Sequence, residues 1–422
     1  MPPPSRNGLA SVYEDAWIVG GLRTPFADYN GALGGVSPTD LGIKVAREVF
    51  RRTGVPPEDV GVVLTGCVAQ ASYDAYVLPR HIGLYSGVPL ETPAALVQRV
   101  CGTGFELIRQ AADAIQLGQT GLALCVGTES MTRNPIAAYT HRAGFRMGQV
   151  EFKDFLWEAL LDPAPGLTMG QTAENLARRY GISRAEVDAF ASQSFARALD
   201  AQEDGFLEGE TVPVRSEAFE LPGYQPRGIR LARNVGEFRA DDHVRPSSVG
   251  ALAGIKPAFG GVQTGGNSSA IVDGAAAALV CSGDYLRAKK VAPLARVAAA
   301  AVVGVPPEVM GIGPVPAIQL LLERLGLRLE DVDRFEINEA FGAQCIAVER
   351  ELGLDHGKVN VNGGAIAIGH PLAATGVRLT ITVARELVRR RLRYGVSSAC
   401  VGGGQGIALL VENPAARPGR LN

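Results

Sequence analysis

No apolar run in the 422-residue chain is longer than seven residues, as in Val297–Val303. A bilayer-spanning helix needs ~20, so a transmembrane segment is not expected. Neither sign of charge is in excess. The 41 Lys and Arg against 43 Asp and Glu leave −2, which gives no whole-chain reason to expect nucleic acid or a membrane as partner. A local basic patch for a small phosphorylated ligand remains allowed. Six cysteines (Cys67, Cys101, Cys125, Cys281, Cys345, Cys400) include no Cys-x-x-Cys pair, so neither a zinc site nor a disulfide framework is expected, and most of them should be buried and inert. There is no phosphate loop, no Gly-x-Ser-x-Gly elbow and no His-Glu-x-x-His. Gly102-x-Gly104 has Leu107 where a dinucleotide fingerprint needs its third glycine. The start, Met1–Asn7, has no apolar signal core, and the end, Gly419–Asn422, is not a peroxisomal tripeptide. A soluble cytoplasmic protein is the expectation.

What is present is a globular composition, with 46% hydrophobic and 20% charged residues, in a chain long enough for two or three domains of ~150 residues. The 52 glycines exceed the usual ~7% share and point to tight turns. Short apolar runs alternate with amphipathic stretches. Ala16–Val19, Val60–Leu64, Leu122–Val126 and Gly395–Ala399 read as strands, and Asp40–Thr53 and Gly104–Leu117 as helices. This alternation predicts α/β architecture with largely parallel sheets. Arg52, Gly54, Glu58-Asp59-Val60 and Thr103-Gly104 recur 272 residues later as Arg324, Gly326, Glu330-Asp331-Val332 and Thr375-Gly376. One register covering all of them predicts two related halves. Between them, roughly Asn134–Gly266 differs in character. It carries one clear helix behind the capping box Ser183–Glu186, with Val187, Phe190, Ala191 and Ala198 on one face. An insert this long reads as a lid or binding subdomain.

Three places join a reactive side chain to a glycine turn. Cys101, in Val100-Cys101-Gly102-Thr103-Gly104, stands at a helix start, where the dipole should lower its thiol pKa. His370 lies in a glycine-flanked turn, Gly369-His370-Pro371, and imidazole is the usual group for taking a thiol proton. Cys400 opens Cys400-Val401-Gly402-Gly403-Gly404-Gln405-Gly406, whose backbone N–H groups suit an oxyanion hole. Each feature alone is as compatible with a structural role.

Together, and in this order, these motifs resemble the thiolase family from about Ile18 to Glu412, joined by Asn338-Glu339-Ala340-Phe341, Arg23-Thr24-Pro25-Phe26, Met169–Asn175, Gly265–Ser269 and Met310–Pro314. The resemblance implies a thiolase fold, two duplicated α/β halves in a layered α-β-α-β-α arrangement. Residues 1–133, completed by about 267–290, would form one half, 134–266 an inserted loop domain over coenzyme A, and 291–422 the other half. It implies that Cys101 is the acylated nucleophile, His370 its activator and Cys400 the second acid/base. Asn338 would hold a water that forms one oxyanion hole with His370, and the N–H groups of Cys101 and Gly402 would form another. Coenzyme A contacts would fall to Met169, Arg245, Phe259, Ser269, Met310 and Phe341. No metal or redox cofactor is implied, the substrates being coenzyme A thioesters, and a homodimer or homotetramer is expected. The chain departs from the family at Thr103, where Ser is common, at Ala373, where Gly is common, and at Thr168, where acetoacetyl-specific relatives often carry His. Two rivals stand beside this reading: a decarboxylating 3-ketoacyl synthase, which would place His or Asn where Cys400 stands, and a non-catalytic acyl-CoA carrier of the same fold.

Overall fold

The computed structural model describes residues 7–69, 74–139 and 141–416. The terminal residues up to Arg6 and from Gly419 to Asn422, read above for targeting signals, lie outside the described residues. In chain order the first half runs β1 (Leu9–Val12), β2 (Trp17–Arg23), β3 (Ala27–Asp28), α1 (Pro38–Thr53), β4 (Val62–Gly66), β5 (Ala94–Val97), α2 (Thr103–Gln116) and β6 (Leu122–Ser130). After the segment carrying α3 (Met169–Tyr180) and α4 (Arg184–Glu203), β7 (Val272–Cys281) rejoins the sheet. The second half runs β8 (Ala295–Gly304), α5 (Pro314–Leu325), β9 (Arg334–Ile337), α6 (Gly342–Leu352), α7 (Leu372–Arg390), β10 (Tyr394–Val401) and β11 (Gln405–Glu412).

The main path of the sheet is β9-β10-β11-β8-β2-β7-β6-β4-β5. Read outward from the β8–β2 contact, the two sides mirror each other, β11 matching β7, β10 matching β6 and β9 matching β4. The caps repeat too: α1 ends at Gly54 and α5 at Gly326, with left-handed φ of 70° and 65°. Helices α2 and α7 pack against each other between the two halves of the sheet, while α1 and α5 cover the outer faces. The result is the layered α-β-α-β-α arrangement.

Both faces of the central strands are therefore buried, and this explains the seven-residue apolar runs. Along β7, Ala276, Ala278 and Val280 face the central core, while Ala275, Ala277, Leu279 and Cys281 face the layer under α1. The expectation of largely parallel sheets is corrected. Among the described strands, β4–β5, β4–β6 and β9–β10 pair parallel, and the other pairs along the main path are antiparallel. Helical crossovers make those parallel pairs, but the tight β10–β11 hairpin and the returning β7 add antiparallel neighbours.

The two central helices cross at the repeated glycines. A Cβ on Gly104 would lie 2.6 Å from Val377 N, and one on Gly376 would lie 2.2 Å from Phe105 N. Only glycine lets the backbones approach this closely. Helix α4 starts at the expected Ser183 capping box and buries Val187, Phe190, Ala191 and Ala198. Arg23 on β2 bonds two carboxylates of the long segment, Nε to Glu210 Oε1 at 2.7 Å and Nη1 to Asp241 Oδ1 at 2.6 Å.

Candidate active site

Cys101 is delivered by a strained turn. Val100 has φ +42°, a conformation that a β-branched residue rarely adopts, and a single 3₁₀ turn (Val100–Gly102) leads into α2. Thr103 pins this turn, its Oγ1 donating to Val100 O at 2.7 Å and accepting from Arg99 N at 2.8 Å. The sulfur is almost enclosed, at 6% exposure. Burial pushes the Cys101 thiol up to about 11, although the Gly402 N–H bonds the sulfur and pulls the other way. The lowering expected from the helix dipole is thus overridden by desolvation. The thiol is therefore protonated at neutral pH.

His370 follows Gly369, whose φ of +108° excludes other residues and whose Cβ would meet Val272 Cγ1 at 2.6 Å. Its backbone N–H donates to Ala270 O at 3.1 Å. Its Nδ1 lies 2.6 Å from Thr375 Oγ1, and that hydroxyl donates to Pro371 O at 3.2 Å. Nε2 faces Asn338 Nδ2, a donor, at 3.3 Å, so Nε2 is the accepting nitrogen and Nδ1 carries the hydrogen toward Thr375. Burial, then the positive charge of Arg378, lowers the His370 pKa to about 3, so the ring is neutral.

Asn338 follows β9 and extends its ladder by donating N–H to Ser398 O at 2.9 Å. Its Oδ1 is buried and bonds no described residue. Cys400 closes β10 with no exposed surface. Burial, and then the neighbouring Cys101, raises its thiol pKa. The following turn uses left-handed φ at Gly403 (+84°) and Gly404 (+83°), and a Cβ on Gly404 would reach 2.3 Å from Val305 O. This turn brings the Gly402 N–H to the Cys101 sulfur.

Five of the six expected coenzyme A contacts connect to this centre. Met169, Met310 and Phe341 pack around Cys400 with Ala340 and Leu160. Phe259 meets Phe341 edge-on, centroids 6.2 Å apart, and Ser269 N donates to Ala340 O at 3.0 Å. Arg245 stands apart. It is exposed, bonds His243 and lies over the Phe195 ring at 5.7 Å.

Sequence reasoning missed two buried carboxyls. Glu129, deep in β6, accepts from Val68 N and Ala69 N, both at 3.0 Å, and from Ala373 N at 3.2 Å. It ties the loop after β4 to the first turn of α7, and burial raises its pKa. Glu339 accepts from Ser194 Oγ at 2.6 Å, Asn360 Nδ2 at 2.9 Å and Ile366 N at 3.1 Å, bracing the glycine turn before His370. An acid ending an otherwise apolar strand was the signal for Glu129.

Residues 16–284 match the model of the thiolase N-terminal domain, and residues 291–413 that of the thiolase C-terminal domain. The chain is 41% identical over 409 residues to human mitochondrial 3-ketoacyl-CoA thiolase, covering 96% of this chain and 100% of that protein. The chain belongs to the thiolase family. It is also 40% identical over 399 residues to the beta-ketothiolase BktB of Cupriavidus necator, covering 94% of this chain and 98% of that protein. In structure it resembles the human mitochondrial enzyme in complex with CoA, with a TM-score of 0.89 at 40% identity, covering 97% of this chain and 100% of that one. The Bacillus anthracis acetyl-CoA acetyltransferase superposes with a TM-score of 0.89 at 40% identity, covering 95% of this chain and 99% of that one. Among the described residues of this thiolase, no helix is long and apolar enough to cross a membrane, and no cluster of three or more His, Cys, Asp or Glu could hold a metal ion.

Proposed function

We propose that this thiolase transfers acyl groups reversibly between coenzyme A and the α-carbon of acetyl-CoA, through a thioester on Cys101. In the first half-reaction the Cys101 sulfur attacks the acyl-CoA carbonyl while its proton passes to His370 Nε2. That proton stays on His370 while the Cys400 thiol protonates the departing coenzyme A sulfur. In the second, the Cys400 thiolate so formed takes a proton from the acetyl-CoA methyl, and the carbanion attacks the acyl carbon and releases Cys101, which recovers its proton from His370. Run backwards, the same steps cleave a 3-ketoacyl-CoA. Carbonyl oxygens would be held by the N–H groups of Cys101 and Gly402, and by His370 with a water on Asn338.

The observation that carries this reading is the convergence of a second cysteine turn on the nucleophile, Gly402 N–H meeting the Cys101 sulfur two residues after Cys400. A histidine or asparagine at Cys400 would have favoured the decarboxylating synthase, and a carrier would have no use for a neutral histidine with its basic nitrogen held in place. Radiolabelled acetyl-CoA tests it. Quenched wild-type protein should carry label on the Cys101 peptide, and Cys101→Ala should carry none. Cys400→Ala should still be labelled while condensation falls ~10²-fold or more, the scale for losing a positioned acid/base. Label on another cysteine overturns the assignment.

The segment 134–266 is read as cover for coenzyme A, since Met169 and Phe259 come from it; Arg245 is kept as a contact that would engage only with ligand present. We further propose a cytoplasmic homodimer or homotetramer, although the human and bovine relatives are named mitochondrial. Medium-chain 3-ketoacyl-CoA is read as cleaved at least as well as acetoacetyl-CoA. Thr168 is the N-cap of α3, its Oγ1 accepting from Gln171 N at 3.4 Å, and it leaves more room beside Met169 than an imidazole would. Relative kcat/KM for four-, six- and eight-carbon 3-ketoacyl-CoA decides this, activity on the four-carbon substrate alone refuting it.

A further inference from the structure

Two side chains of β9 and its continuation face α7. Glu336 and Asn338 are two residues apart, so they share a face of the strand. Asn338 meets His370, which Thr375 of α7 anchors. One helical turn on from Thr375, Arg378 meets Glu336, with Nη1 3.5 Å from Oε2. Strand and helix are thus linked twice, once through the proton-accepting imidazole and once through an ion pair.

The second link is unusual. Arg378 is 1% exposed and Glu336 2%. None of Nε, Nη1 and Nη2 of Arg378 hydrogen-bonds a described residue, and neither does Glu336 Oε2. The pair is held by charge, not by the directional bonds that usually accompany a buried arginine. Its neighbours are Glu210 of the long segment, Glu339 after β9, Glu386 of α7 and Arg23 of β2. The Arg378 charge also reaches His370.

We propose that Arg378 and Glu336 are positioning residues for the acylation step: Glu336 offsets the charge that Arg378 presents to His370, so that the imidazole can take the Cys101 proton. The proposal rests on Cys101 and His370 acting as described above. When the thiol proton moves to His370 the ring becomes cationic inside the protein. An uncompensated guanidinium nearby opposes that step, and a compensated one does not.

The sign follows from which form of Glu336 is present. Burial raises its pKa, Arg378 opposes the rise, and the other carboxylates add to it, leaving it at about 8. Above that pH Glu336 is ionised and offsets Arg378; below it Glu336 is neutral and Arg378 stands alone. Glu336→Gln copies the neutral form at every pH.

The test is the rate of Cys101 alkylation by iodoacetamide from pH 6 to 9.5, read by peptide mapping. Glu336→Gln should react ~10-fold more slowly than wild type at pH 9, and the ratio should approach one near pH 6.5. Arg378→Met should narrow the pH dependence, and Glu336→Gln with Arg378→Met should fall within about 2-fold of Arg378→Met alone. Arg378→Lys keeps the charge and should keep the wild-type profile, so the test survives if the methionine variant fails to fold. A Glu336→Gln rate reduced by the same factor at every pH, or not reduced at all, overturns the proposal. His370→Asn is the control. If it leaves alkylation unchanged, the His370 assignment fails and takes the proposal with it, whereas slowed alkylation in His370→Asn beside an unaltered Glu336→Gln overturns the proposal alone.

Discussion

Asn338 Nδ2 donates toward His370 Nε2 at 3.3 Å, so the 2.6 Å contact between Nδ1 and Thr375 Oγ1 uses the proton on Nδ1. Thr375 holds the ring in that orientation. Thr375→Val keeps the shape and removes the acceptor. Acetylation of Cys101 should fall ~10²-fold, the scale of losing a positioned base, while stability drops by only about 1 kcal/mol for one buried hydrogen bond. Thr375→Ser should restore most of the rate. Burst labelling and thermal melting check both, and a valine variant with wild-type labelling would refute the tautomer argument. At this scale the candidate residues were legible, because Cys101, His370 and Cys400 each stand beside glycines. Their ionisation was not. The helix-start argument lowers the Cys101 thiol, whereas burial drives it up to about 11, and burial is a property of the assembled layers.

At the scale of elements, α2 and α7 each present a reactive residue just before the first turn, Cys101 before one and His370 before the other. Their crossing at Gly104 and Gly376 brings the two helix starts together, and with them Cys101 and His370, the proposed nucleophile and base. A methyl group on Gly376 would overlap backbone at 2.2 Å, with no flexible side chain to give way. Gly376→Ala should therefore cost about 3 kcal/mol, the upper range for overpacking, and reduce turnover by displacing the helices. Gly326→Ala offers the contrast. That glycine needs φ +65° but has nothing within 4 Å of a Cβ, so the cost should stay near ~1 kcal/mol. Urea melts of the two variants compare these outcomes, and equal destabilisation would remove the crossing from the argument. The helices were legible from their caps and their apolar faces. Their crossing was legible only as a repeated Thr-Gly pair of unknown purpose.

For the whole molecule, the question is what holds the long segment onto the duplicated core. Arg23 lies at the sheet centre with 1% exposure and bonds Glu210 once and Asp241 twice. Asp241 Oδ1 also accepts from Phe26 N at 2.8 Å. Arg23→Met would strand two buried carboxylates, and removing one partner of such a group costs ~3–5 kcal/mol. The expected outcome is a lower melting midpoint together with faster tryptic cleavage within residues 204–241. Unchanged cleavage would show that the segment is held by other contacts.

The alternation of strands and helices, the twofold repeat at 272 residues, the helix caps and the motifs that mark the family were all determined by the sequence alone. Each depends on neighbours within a few residues or on a pattern repeated along the chain, and such signals survive without a structure. The tertiary structure decided the rest. It made the sheet mixed, because which strands become neighbours depends on how the two halves meet. It placed Met169, Met310, Phe341, Phe259 and Ser269 at the Cys400 side of the centre and Arg245 away from it, because these segments are brought together only by the folding of the long segment. It turned Glu129, Glu336 and Arg378 from unremarked residues, and Thr375 from one half of a repeated pair, into the surroundings of the candidate site. Their effect comes from distance and desolvation in the packed layers, and neither quantity is written in the order of the residues.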